Sequence, residues 1–235
     1  MIRTAECVSP MHPDKMCDRI SDTLLDLFLE QDPNSRVAIE TCGGNGLVFI
    51  TGEVTSKGTV TKDEIVEVVK QITQDIDIQV IEHLNTQSPE IANGVDSGGA
   101  GDQGIMIGYA CRDNKEFLPQ EYFLSRELNK FVFAKYPFDG KTQVTMNGNS
   151  LRVVCSFQNA PTGRLKKLVM EYFEDYPDYF IEDLHCNPAG DWNIGGFTAD
   201  AGVTGRKLAV DNYGPRVPLG GGAFSGKDST KVDRS

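Results

Sequence analysis

KMCDRISDTLLDLFLEQDPNSRVAIETCGGNGLVFITGEV, residues 15–54, changes its hydrophobic period halfway along. Ile20, Leu24, Leu27 and Phe28 recur at helical spacing, and DPNS at 32–35 ends that pattern. VAIET (37–41) and LVFITGEV (47–54) then read as two strands joined through Gly43-Gly44-Asn45-Gly46, a hairpin signal. Downstream, KDEIVEVVKQITQ (62–74) is an amphipathic helix with Thr61 as its N-cap, and IDIQVIEHL (76–84) reads as a strand. Helix, hairpin, helix, strand is the order of an α+β unit.

The same order returns further on. IMIGYA (105–110) reads as a strand and QEYFLSRELNKFVFAKY (120–136) as a helix. TQVTM (142–146) and LRVVCSF (151–157) form a hairpin around NGNS, and TGRLKKLVMEYFEDY (162–176) is a second helix. The 85–104 stretch, NTQSPEIANGVDSGGAGDQG, has no period, and a loop of that length in a compact domain is usually functional or disordered. After Cys186 glycine content climbs and periodicity fades. The expected fold is α+β, built of pseudo-repeated α/β units, each a sheet with helices on one face. The expected divisions are an N-terminal domain at 1–84, a glycine-rich loop at 85–104, a central domain at 105–188 and a partial third domain at 189–235.

The chain has 235 residues, a net charge of −11 and a pI near 4.7. That charge argues against nucleic-acid binding, which needs a basic face. The six cysteines contain no CxxC pair and no zinc spacing, which suggests free thiols in a reducing compartment. The N-terminus has no apolar signal core and no stretch has the length of a membrane span, so the cytoplasm is expected.

Several motifs could carry chemistry. Glu6 and His12-Pro13-Asp14-Lys15 stand where the first helix begins, a place that attracts anions. Gly99-Ala100-Gly101-Asp102-Gln103-Gly104 permits close backbone approach, and Asp102 could receive an ammonium. Asp139-Gly140-Lys141 offers a phosphate-binding lysine. Asp200 precedes Thr204-Gly205-Arg206-Lys207, two adjacent cations after a glycine. Gly221 to Lys227 fits GxxxxGK, but Asp228 replaces the hydroxyl residue of a P-loop and YGPRVPLG before it is a poor strand. Each motif alone also fits an ordinary cap, turn or charged loop.

In this order, however, the motifs resemble the methionine adenosyltransferases (S-adenosylmethionine synthetases). The matching stretches include AECVSPMHPDK, RISDTLLD, QSPEIANGVD, GAGDQG, KTQVT, TGRKLAVDNYG and GGGAFSGKDSTKVDRS. The resemblance implies synthesis of S-adenosylmethionine from ATP and L-methionine, with the triphosphate leaving whole and then cut to phosphate and diphosphate. It implies two Mg²⁺ per site and K⁺. Among the catalytic residues, His12 matches the family histidine that lies against the triphosphate near the departing oxygen, and Lys141, Arg206, Lys207 and Lys227 match its phosphate-binding cations. Asp14 and Asp233 match its Mg²⁺ ligands, and Glu40 its K⁺ ligand. Glu53, Gln87, Asp102 and Lys231 match positions around methionine. Asp139, Asp200 and Trp192 complete the ATP site, Trp192 replacing a phenylalanine that stacks on adenine. Family sites form between subunits, so the resemblance implies a homodimer or a tetramer, with no nucleic-acid or membrane partner.

Three departures stand out. Met11 precedes HPDK where the family has glycine, and the loop between QSPEIANGVD and GAGDQG, a gate in the family, is short. Typical members also continue well past KVDRS into a third α+β domain. The resemblance therefore leaves open a fragment, half of a split enzyme, or a reduced form that oligomerises. A subunit that needs a second chain to supply the missing domain is the alternative function.

Overall fold

The computed structural model describes residues 1–86 and 102–234; Gln87 and most of the glycine-rich loop lie outside the described residues. In chain order the elements are β1 (Ile2–Val8), α1 (Pro13–Gln31), β2 (Arg36–Gly44), β3 (Leu47–Thr55), α2 (Lys62–Thr73), β4 (Gln79–Asn85), α3 (Gln120–Phe133), β5 (Gly140–Asn147), β6 (Ser150–Phe157), α4 (Thr162–Glu174), β7 (Phe180–Cys186), β8 (Gly202–Val203) and α5 (Leu208–Asp211). They fall into two compact units that interleave along the chain. The first comprises Met1–His12, Gly108–Gly195 and Ala209–Pro218; the second comprises Pro13–Ile107, Gly196–Leu208 and Leu219–Ser235.

The second unit holds a four-stranded sheet in the order β4-β3-β2-β8. β2 runs antiparallel to β3 and β8, and β3 runs parallel to β4. The β2–β3 turn is Asn45-Gly46, with φ of 50° and 75°, the left-handed pair that a two-residue hairpin requires. Along β2, Val37, Ile39, Thr41 and Gly43 are buried while Glu40 and Cys42 are exposed. α1 packs on β2 and β8, α2 packs on β4, and the helices pack on each other. Thr61 and Glu64 close a capping box at the start of α2: the Thr61 amide donates to Glu64 Oε2 at 2.7 Å and the Glu64 amide to Thr61 Oγ1 at 3.3 Å.

The first unit repeats this plan. Its sheet has the order β1-β5-β6-β7, with β6–β7 parallel and the other pairs antiparallel. α3 lies on β1 and β5, and α4 on β6 and β7. Tyr122, Leu124, Leu128, Val144, Val153, Phe157 and Leu165 form the centre of its core. The repeat extends to a polar contact between the first helix and the first hairpin strand. Ser21 Oγ on α1 lies 2.9 Å from Thr41 Oγ1 on β2. On α3, Ser125 accepts at its carbonyl from Thr142 Oγ1 of β5 at 2.8 Å.

Two sequence expectations change, and two strands carry no sequence signal. IMIGYA is not a strand: residues 103–111 are irregular, and the edge of β5 is taken by β1, from Ile2↔Asn147 to Val8↔Lys141. β1 buries the small residues Ala5 and Cys7, which give almost no hydrophobic period. β7, FIEDLHC, has no regular alternation and is equally silent. On α1, Leu25 is buried and Leu27 only half-buried, a rotation of the expected apolar face.

Replacing the fully buried Leu124 by alanine is expected to lower stability by about 2–5 kcal/mol. Met170→Ala, at a side chain 51% exposed on α4, should change it by no more than about 0.5 kcal/mol. Urea unfolding followed by circular dichroism distinguishes the two.

Candidate active site

Pro13 opens α1, where its fixed φ and missing N–H suit the first helical position. Asp14, Asp18, Asp22 and Asp26 follow at intervals of four, which puts them on one face of the helix. Three of them hold backbone from much later in the chain. Asp14 accepts from the Val203 amide at 2.9 Å, Asp18 from the Gly205 amide at 2.9 Å, and Asp22 from the Gly226 amide at 2.9 Å. Each also faces a cation. Asp14 meets Lys207 Nζ at 2.5 Å and Arg206 Nε at 3.6 Å, Asp18 meets Lys15 at 2.9 Å, and Asp22 meets Arg234 at 3.1 Å. Between these rungs, Ser21 Oγ lies 2.8 Å from Thr204 Oγ1, which accepts the Thr41 amide at 2.9 Å.

The residues after Leu219 are tied to the same unit. β8 pairs with β2 only at Cys42 and Gly43. Earlier along that edge, the Ile39 amide donates to Gly226 O at 2.9 Å and the Asp228 amide to Val37 O at 3.1 Å. The Asp228 carboxylate receives the Val37 amide at 2.6 Å and Lys231 Nζ at 2.5 Å. Lys227 Nζ lies 2.7 Å from Asp233 Oδ2. Two glycines make this possible. A Cβ on Gly226 (φ 75°) would come within 2.1 Å of Ile39 O, and one on Gly222 within 2.0 Å of Asp233 Oδ1. Among the described residues no strand leads directly into Gly221 and no helix follows Lys227, so the segment is not a P-loop.

Electrostatics follow from these contacts. Burial raises the Asp14 carboxyl, but the Lys207 hydrogen bond, the Val203 amide and the charges of Lys207 and Arg206 outweigh it and hold the group below its ordinary value. Desolvation raises Glu40, with Asp18 adding to it and Lys227 opposing. Among the described residues no three His, Cys, Asp or Glu side chains gather as a ready-made metal cluster. Magnesium commonly takes one or two carboxylates and completes its shell with water and substrate phosphate, so hard oxygen donors such as Asp14 and Asp233 fit it.

The first unit gathers its own candidates around the start of β5. The His12 amide donates to Ser9 O at 3.1 Å, and Ser9 bonds onward to Gly140 O at 2.8 Å and Phe138 O at 2.9 Å. Asp139 accepts from the Gln158 amide at 2.9 Å. Lys141, exposed, is the register partner of Ser156. Trp192 Nε1 donates to Ser156 Oγ at 3.1 Å and to Asn187 Oδ1 at 3.3 Å, which sets the indole beside the same strand.

The sequence-predicted residues thus fall in two groups. Asp14, Glu40, Arg206, Lys207, Lys227 and Asp233 belong to the second unit, and His12, Asp139, Lys141 and Trp192 to the first. Lys231 is engaged by Asp228, and Glu53 sits on β3 opposite Ala38 and Asn85. Asp102 and Asp200 are exposed and accept from the amides that follow them, at 2.7 and 2.8 Å. Gln87 lies outside the described residues. Sequence reasoning missed Asp18, Asp22 and Asp228; the four-residue spacing of aspartates along α1 was the available signal.

Carboxylates paired with lysines beside close-packed glycines are the common feature of the second unit's candidate residues. Comparison with known proteins makes the assignment specific. The N-terminal, central and C-terminal domains of S-adenosylmethionine synthetase match residues 1–97, 97–190 and 194–235. S-adenosylmethionine synthase 2 of Rhodospirillum rubrum is 40% identical over 267 residues, covering 99% of this chain and 69% of that protein. The S-adenosylmethionine synthase of Parvibaculum lavamentivorans is 40% identical over 270 residues, with the same 99% and 69% coverage. A solved structure of an unusual S-adenosylmethionine synthetase from Campylobacter jejuni superposes with a TM-score of 0.87 at 34% identity, covering 99% of this chain and 70% of that one. The chain belongs to the S-adenosylmethionine synthetase family, whose activity is that of a methionine adenosyltransferase. Among the described residues no helix is long and apolar enough to cross a membrane.

Because the folded Asp14 group sits below its ordinary value, its contribution to stability is present above about pH 4 and is lost as pH falls further. Hydrogen exchange of a peptide containing Val203, corrected for intrinsic rates, should show protection falling in that acid range. Asp14→Asn should flatten the dependence.

Proposed function

We propose that the chain carries out attack of the methionine sulfur on the ribose C5′ of ATP, with the triphosphate leaving whole and then being cleaved. The sulfur is neutral and already nucleophilic, so the step needs no general base. Charge builds on the departing triphosphate, and the demand on the protein is alignment and fixed positive charge. Lys207, Arg206 and Lys227, with His12 and Lys141, take that role. Asp14 and Asp233 hold Mg²⁺, Glu40 holds K⁺, and the bound cations supply further positive charge beside the phosphates. Trp192 stacks on adenine, with Asp139 and Asp200 at the nucleotide, while Glu53, Gln87, Asp102 and Lys231 address methionine. The division into domains at 1–84, 105–188 and 189–235, the gate at 85–104, a homodimer or tetramer and a cytoplasmic setting complete the reading.

The observation that carries this reading is the placement of Asp14 with Lys207 and Asp233 with Lys227, acid and cation side by side in one unit. A second reading is a subunit that works only with another chain.

Purified chain given ATP, methionine, Mg²⁺ and K⁺ should form S-adenosylmethionine, detected by mass spectrometry. Product that forms only after a full-length relative is added supports the second reading. Lys227→Ala or Asp233→Ala should lower kcat by about 10²–10³-fold. The pair is partly exposed, at 17% and 27%, so stability should change by about 1 kcal/mol or less. Unchanged turnover would remove the tail from the catalytic account.

A further inference from the structure

We propose that the Lys207–Asp14 and Lys227–Asp233 pairs are an exchange device that makes polyphosphate binding depend on divalent-cation binding. The inference rests on the functional reading above, which gives the lysines to phosphate and the aspartates to magnesium. In this structure each aspartate is instead occupied by the very ammonium that would grip the ligand.

The Asp14 side chain is 2% exposed and that of Lys207 16%, so their contact at 2.5 Å is largely out of water. A polyphosphate arriving alone must draw Lys207 away. Asp14 then loses the ammonium in direct contact while a negative charge approaches. Taking such a cation from a buried carboxylate is costly. A divalent cation alone meets the converse obstacle: it takes Asp14 and leaves Lys207 facing like charge. When both arrive, every charge finds a new partner, lysine with phosphate and aspartate with metal. The same exchange is available at Lys227–Asp233, where the Asp233 carboxylate is crowded against Gly222. Coupling of this kind is reciprocal and typically amounts to about 5–150-fold in affinity.

Magnesium complexes polyphosphate in solution, so the decisive comparison is metal-free. Tripolyphosphate is titrated calorimetrically in EDTA into the full chain, Asp14→Asn, Lys207→Met and the double variant. Asparagine retains an oxygen for the Val203 amide while releasing Lys207. Asp14→Asn is expected to bind metal-free tripolyphosphate about tenfold tighter than the unaltered chain. That gain should vanish in the Lys207→Met background, because it comes from freeing this lysine. A gain that persists undiminished without Lys207 is a general effect of lost negative charge and overturns the proposal, as does no gain at all. Neither result touches the triphosphate site itself. If no variant binds tripolyphosphate, with or without Mg²⁺, the functional reading fails together with this inference. Circular dichroism checks folding, and Asp233→Asn with Lys227→Met repeats the cycle at the second pair should the first set unfold.

Discussion

Four aspartates at four-residue intervals along α1 are a charge arrangement that an isolated helix resists, because like charges so spaced repel one another. In a chain of net charge −11 the rest of the protein offers little relief. Relief comes from specific partners. Lys15 answers Asp18 locally, and Asp14 and Asp22 are answered by Lys207, Arg206 and Arg234, which lie far downstream, 193 residues on for Lys207 and 212 for Arg234. Backbone amides of Val203, Gly205 and Gly226 fill further acceptor positions. The helix therefore needs the late segments, and those segments, short of regular structure, need the helix to hold them in place. The cations and carboxylates assigned to catalysis in the second unit depend on that mutual requirement.

The architecture separates rigidity from chemistry. Each unit builds a four-stranded sheet with two helices on one face, and the core between them is mainly aliphatic and aromatic. Most candidate residues lie at a strand start, at a helix N-terminus and in glycine-rich segments, where backbone groups are available and close approach is possible, while Glu40 and Glu53 lie within β2 and β3. Residues 226–228 illustrate how such a segment is kept from fraying. They continue the edge of β2 with ladder-type hydrogen bonds, while Asp228 seals the Val37 amide and Lys231.

Much of this was legible in the sequence. The period-2 and period-3.6 patterns of residues 15–84 gave α1, β2, β3, α2 and β4 with boundary shifts of a few residues, because their signal is local. Thr61 announced its capping box for the same reason. β1 and β7 were silent, since their side chains alternate weakly and their pairing partners lie far away in sequence. IMIGYA failed in the opposite sense: its composition is strand-like, but the edge it would have occupied is filled by β1. The candidate residues were found through motif resemblance rather than periodicity. What motifs could not give was pairing. Nothing local tells Lys207 to face Asp14, and the ladder on α1 emerges only once the fold brings the two ends of the unit together.

The most direct test is a crystal structure of the chain with Mn²⁺ and a non-hydrolysable imidotriphosphate, with manganese located by its anomalous signal. The account predicts manganese coordinated by the Asp14 or Asp233 carboxylate, and Lys207 and Lys227 moved from those aspartates to phosphate oxygens. Manganese and triphosphate bound elsewhere, with Lys207 still on Asp14 and Lys227 still on Asp233, would contradict it.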